Sequence, residues 1–415
     1  MRIFLNECRK AATSPILIAL LVLFCAYNIF LIVSSSNHKE ELNIVNDIVD
    51  TYGLQITAAS LQQFEKNVQT DLTELEKMTG QKFGTVHDFL SGLRFEDRDR
   101  YSEADWQFID RLQIKEMYLG MAESIDESYA TIDIEALGEG EVKKYALSGT
   151  AANILRKEYK KFAERFEEMV GNEEHKQWFF AGKVYFMHSF LFKTVFLHII
   201  IESLLLVILA TALIMNYEFE SRTHLVSYAT RRGRKLVKDK LAASLMIAAI
   251  LTAIVLVVTL VTYFIIFDYS HVWKTSISSA FNWEYNFPNI AWWDLSVRQY
   301  LVGVIGLVMI GMLLFSGLTS ALSIVLKNSY VAFSLMALFF VIAWLMPGFM
   351  STSSRLLFIS SYNLSTLLIG ISGSFMGSSG LTMFKNFEWM TVASWTIFAV
   401  AFCFISIQRF RKEDI

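Results

Sequence analysis

"TVFLHIIIESLLLVILATALIM", Thr194 to Met215, is an apolar run interrupted by one carboxylate and one imidazole. A bilayer crossing takes ~20 mostly apolar residues, so this stretch reads as a membrane span, and the rest of the chain is read around it. Next comes "NYEFESRTHLVSYATRRGRKLVKDK", Asn216 to Lys240, which holds seven of the 37 Lys and Arg residues, and then a second apolar run from Leu241 to Phe267. Four more runs meet the length requirement: Pro15 to Val33, Gln299 to Leu326, Val331 to Met350 and Trp389 to Ile407. The chain is 54% hydrophobic, with its apolar residues bunched in charge-poor runs rather than dispersed as in a soluble core. The pattern predicts an all-α polytopic membrane protein with six transmembrane helices.

The first run follows Arg9 and Lys10, as a signal peptide would, yet at 19 residues it exceeds the ~7–15 of a typical cleaved apolar region. It reads as an uncleaved anchor over 15–34. Lys and Arg in short connections set orientation. With the N-terminus inside, the cytoplasmic pieces carry fourteen of them, including Arg2, Arg9, Lys10, Lys327, Arg409, Arg411 and Lys412; the two short outside loops carry four, Lys274, Arg298, Arg355 and Lys385. Both termini are therefore expected in the cytoplasm. Trp178, Trp292, Trp293, Tyr300 and Trp389 fall near the expected outer ends of spans, where amphipathic rings favour the headgroup layer.

Residues 35–190 separate the first two spans and form the only large soluble region. From Ser35 to Lys183 the chain holds 29 of the 40 acidic and 18 of the 37 basic residues, a net charge of −11 against +8 for the remainder. This stretch has no Pro, and Leu42, Val45, Ile48 and Val49, or Phe108, Leu112 and Met117, recur at helical spacing. A mainly helical extracytoplasmic domain is expected, large enough to bury a core without disulfides; its lack of cysteine removes that option in any case. Within the membrane body, 191–415, the segment Leu356 to Ser372 is short and polar for a span, so 351–388 is expected to be an extracytoplasmic re-entrant segment. "GSFMGSSG", Gly373 to Gly380, reads as a flexible loop, since it lacks the lysine of a phosphate-binding loop. At the other end, residues 1–14 place Phe4, Cys8, Ala11 and Ala12 on one face and Arg2 and Arg9 elsewhere, the pattern of an amphipathic helix on the cytoplasmic surface.

Catalytic motifs are missing: no G-x-x-x-x-G-K-S/T, H-E-x-x-H, C-x-x-C or G-x-S-x-G occurs. The chain is expected to be no enzyme, to use no cofactor or metal, and to bind no nucleic acid. His198 and Glu202 lie four residues apart on one face of the second span. Charge at that depth is costly, and two readings stay open: a transport-pathway or proton-relay pair, or an interhelical hydrogen bond with a protonated Glu202.

Glu218, Glu220, Thr223, Leu225, Gly233, Arg234 and Lys240 follow one another in the loop after that span. In this loop the chain resembles bacterial ABC-2 type permeases, the membrane subunits of ABC exporters, which carry E-x-E-x-G-T, a small apolar stretch, P-x-S/G-R and a later Lys. Arg222 stands where the family often has Gly, and Arg231 where it often has Pro. The resemblance covers residues 1–34 and about 190–415; the domain between the first two spans matches only as an insertion that some members carry. It implies a permease subunit in a bacterial cell membrane, a second permease copy or paralogue beside it, and separate cytoplasmic ATPase subunits. It also implies that 216–240 is a coupling loop. Phe219, Leu225 and Val226 would press into an ATPase groove, while Glu218, Glu220, Thr223, Arg234 and Lys240 would fix orientation. A topology-setting flank is the bland reading of the same charges. Two alternatives stand against the permease reading: a proton-coupled secondary transporter using His198 and Glu202, and a sensory or mechanotransmitting membrane protein of the four-span ABC permease kind, which span count separates from the six-span layout.

Overall fold

The computed structural model describes residues 2–36, 39–181, 187–229, 233–284 and 287–412. Among the described residues, six helices are long and apolar enough to cross a membrane: Pro15–Ser34, Met187–Glu220, Leu236–Ile266, Val297–Leu326, Ser329–Phe349 and Phe387–Lys412. The second is the axis of the bundle. It packs against the first, third, fourth and fifth, while the sixth lies mainly along the fourth. Burial follows from this placement, since two thirds of the apolar core of the second span is buried, against 17% for the first and sixth. The second span begins at Met187, earlier than the expected Thr194, through a π-helical stretch Phe190–Val195. Phe190, Leu191, Phe192 and Val195 are buried there and Lys193 is half-buried, so packing carries the helix past a residue that hydropathy reads as its end.

The domain between the first two spans is helical, as expected. Its helices are Lys39–Tyr52, Ala58–Thr79, Val86–Gly92, Glu103–Glu123, Ile125–Ala130, Ile134–Lys144 and Gly149–Gly171. Three start at reciprocal capping boxes, Thr57 with Ser60, Thr85 with Asp88, and Ser102 with Asp105, each satisfying backbone donors that the first turn leaves open. An aromatic core forms around Trp178, whose ring meets Phe64 at 5.5 Å and Phe281 at 5.4 Å. Phe281 belongs to the connection between the third and fourth spans, so the core of the domain is completed by a segment of the membrane body. That connection also contains the two-residue strands Trp283–Glu284 and Phe287–Pro288, paired antiparallel.

Two further connections complete the seat of the domain. The carbonyls of Thr352 and Ser353, after the fifth span, accept from Ser148 and Ala151 N–H at the start of helix Gly149–Gly171. The glycine-rich stretch Gly373 to Gly380 is not a free loop. Ser374, Phe375, Met376 and Gly377 are buried, Gly377 N–H donates to Ile290 O at 2.9 Å, and Trp292 N–H donates to Phe375 O at 3.0 Å. The glycines serve close approach, because a Cβ at Gly377 would collide with the Phe162 ring and one at Gly380 would meet the Tyr145 hydroxyl at 2.7 Å. Composition alone reads such a stretch as flexible; tertiary contact orders it. Between these connections, Leu356–Ser361 and Leu364–Ile369 are helices of six residues each, too short to cross, and the second packs among the spans.

Candidate functional site

The second span ends in Met215–Glu220, and its last turns meet the N-terminal helix Arg2–Ala12 and the start of the third span. Four charged side chains converge there. Lys10 Nζ donates to Glu7 Oε1 at 2.7 Å and to Glu218 Oε1 at 2.8 Å. Lys240 pairs with Glu218 Oε2 and lies 3.7 Å from Glu7 Oε2. Its ammonium also donates to Ile214 O at 2.5 Å and reaches Met215 O at 3.4 Å, near the C-terminal end of the second span. Lys240 is completely buried, and Glu7 and Glu218 are nearly so. Burial works against the charge on Lys10, but its hydrogen bonds to the Glu218 and Glu7 carboxylates, with their charges, outweigh it and hold its pKa above the ordinary lysine value. Removing one member of a buried ion pair strands its partner and typically costs about 3–5 kcal/mol. Three elements distant in sequence are thereby locked at one end of the bundle.

The turn that follows is a left-handed helix cap. Arg222 N–H donates to Phe219 O and Thr223 N–H to Glu218 O, the paired bonds of a Schellman motif, with Arg222 at φ +57°. The family resemblance places Gly at this position, and the geometry explains why. The Thr223 carbonyl accepts from Ser227 N–H as the short helix His224–Ala229 begins. Its inner face is aromatic: Phe219 lies 5.1 Å from His224 and 5.6 Å from Tyr228, and Tyr228 is buried 5.1 Å from Phe410 of the sixth span. Its outer face presents Leu225 and Val226, 60% and 76% exposed. Gly233 closes the segment against Ser227, whose carbonyl occupies the space a Cβ would need.

The expected coupling residues thus divide. Leu225 and Val226 face outward, and Thr223 is exposed. Phe219 packs into the small cluster with Tyr228 and Phe410. Glu218 and Lys240 are turned inward and pair with each other, and Glu220 Oε1 accepts from Ser329 N–H at 2.9 Å, capping the start of the fifth span. Arg234 lies in the 3-10 turn Gly233–Lys235, with its side chain outside the described part, and Arg231 lies outside the described residues. Glu7 was not legible as a member of the cluster. Its only sequence signal is the i, i+3 spacing to Lys10, which many exposed helices share.

His198 and Glu202 both face the first span, but each has its own partner there. His198 meets the Tyr27 ring edge-on at 5.2 Å. Asn28 Nδ2 donates to Glu202 Oε2 at 2.7 Å and approaches Thr259 Oγ1 at 2.9 Å, joining the first three spans. This bond has the form of the interhelical reading. Single interhelical hydrogen bonds in membranes contribute about 0.6 kcal/mol on average. Sequence reasoning also passed over Asn28, a lone amide in the first span, and Glu388, buried and accepting from Phe375 N–H at 2.5 Å.

Comparison with known proteins matches residues 1–415 to the family described as ABC-2 family transporter protein. No curated protein and no solved structure matches the chain. A match that spans the inserted domain as well as all six helices makes this chain a member of the ABC-2 transporter family, the membrane component of an ABC transport system.

Proposed function

We propose that the chain is the permease subunit of a bacterial ATP-driven exporter, powered by a separate ATPase that seats on helix His224–Ala229. The observation that carries this is the contrast between the two faces of that helix: Leu225 and Val226 are open to a partner, while Tyr228 is clamped on Phe410 of the sixth span. An apolar pair on a short rigid helix suits a partner groove. The ion cluster behind it gives a push on this helix a stiff route into the second and third spans and the N-terminal helix. In this reading Glu218 and Lys240 transmit force rather than touch the ATPase, and Glu202 holds helices together. Both termini and the 216–240 segment lie in the cytoplasm, the inserted domain lies outside, and two permease copies alternate access between them.

The test is affinity purification of tagged protein from its native membrane, with ABC ATPases identified by mass spectrometry. Leu225→Asp with Val226→Asp should abolish ATPase recovery and transport-coupled ATP hydrolysis while leaving the elution profile of the permease unchanged. Full ATPase recovery with the double variant would reject the docking assignment.

A further inference from the structure

The connection between the third and fourth spans contains only two Lys or Arg residues through the first turn of the fourth span, Lys274 and Arg298. Both line one open cleft of about 660 Å³, together with His271, Trp273, Leu301 and Val302. Backbone pairing brings them together: Arg298 N–H donates to Trp273 O at 3.1 Å, Val297 N–H to Thr275 O at 2.9 Å, and Ile277 N–H to Leu295 O at 2.8 Å. Lys274 and Arg298 therefore flank the same short pairing. Neither side-chain charge has a hydrogen-bond or ion-pair partner among the described residues. Asp268 accepts from the Ser270 N–H and hydroxyl, and Asp50 lies 3.6 Å from His271.

Besides Ser270 and His271, the remaining lining, Trp273, Leu301 and Val302, is apolar and lies at a span end. The fourth span starts at Val297, so at about 1.5 Å per residue Val302 sits roughly 7.5 Å along it, a distance comparable to the thickness of a headgroup layer. Val302 is 62% exposed, and Ile265, in the last turn of the third span, is 78% exposed. Trp273 is held by tilted ring contacts with Phe264 and Tyr269, with centroids 4.9 and 5.6 Å away. Two unpaired cations, an interfacial indole and an aliphatic exit toward the bilayer form one continuous surface. We propose that this cleft binds an anionic phospholipid, its phosphate held by Lys274 and Arg298 and an acyl chain lying along Leu301 and Val302. Free phosphate would satisfy the two cations but leave the aliphatic side uncovered.

The experiment uses the full chain in nanodiscs of equimolar phosphatidylglycerol and phosphatidylcholine, released and read by native mass spectrometry for the most tightly retained lipid. Phosphatidylglycerol should be retained over phosphatidylcholine. Lys274→Gln with Arg298→Gln should weaken retention about 25-fold, each basic residue near the surface contributing about a factor of five. Lys274→Arg with Arg298→Lys should retain the lipid, as should Arg355→Gln with Lys385→Gln. Equal retention of the two lipids, or undiminished retention by the neutral double variant, would overturn the proposal. Displacement of the retained lipid by millimolar inorganic phosphate would overturn the lipid commitment and assign the cations to free phosphate.

Discussion

Arg222 occupies the left-handed cap after the second span, where an L side chain costs about 1–2 kcal/mol relative to the right-handed region. Glycine adopts that backbone without the Cβ penalty, but it also gives the unfolded chain more freedom. Arg222→Gly should therefore stabilise the protein by about 1 kcal/mol, while Arg222→Ala, which keeps the Cβ, should give none of this gain. Thermal unfolding of the purified variants in detergent, followed by size exclusion, reads the difference. The guanidinium is exposed, so its loss leaves no buried partner stranded. At this scale the family resemblance marked Arg222 as standing where Gly is common. The sequence itself did not signal the cap geometry, because an arginine there conceals the glycine pattern that marks it.

Among the elements, the connections carry more structure than their composition suggests. Gly377 touches Phe162 of helix Gly149–Gly171, so Gly377→Ala must push the loop off the domain or move the ring. Overpacking of this kind costs about 1–3 kcal/mol. Limited proteolysis should cut the variant faster within 373–380 than the wild type, with the spans intact; equal cleavage rates would show that the contact is dispensable. The six spans were legible because each is a long apolar run, and the helices of the domain because their apolar residues recur at helical spacing. The contacts among connections were not, since Gly377, Ile290 and Phe162 lie far apart in the chain and carry no local signature of one another. The same holds for the ion cluster: Glu218 and Lys240 were visible as charges, but burial reversed which way they face.

The whole molecule has a structural polarity, with the ion cluster and helix His224–Ala229 at one end of the bundle and the inserted domain at the other. Single cysteines at Lys143 and Leu225, in a background with Cys8, Cys25 and Cys403 replaced by Ser, test the assigned sides. A membrane-impermeant maleimide should label position 143 in intact cells and position 225 only after permeabilisation, since both side chains are exposed. Labelling of both in intact cells would reject the topology. The seat of the domain also sets a timetable for biogenesis. Its own helices are complete by Gly171, yet Phe281, which closes its aromatic core, is made about 110 residues later, and Gly377 about 200 residues later. At about 5–20 residues per second, the nascent domain waits roughly 5–20 s for Phe281 and about twice as long for Gly377. Throughout that interval Trp178 and Phe162 lack their final cover, and quality-control proteases have their best opportunity to intercept the chain.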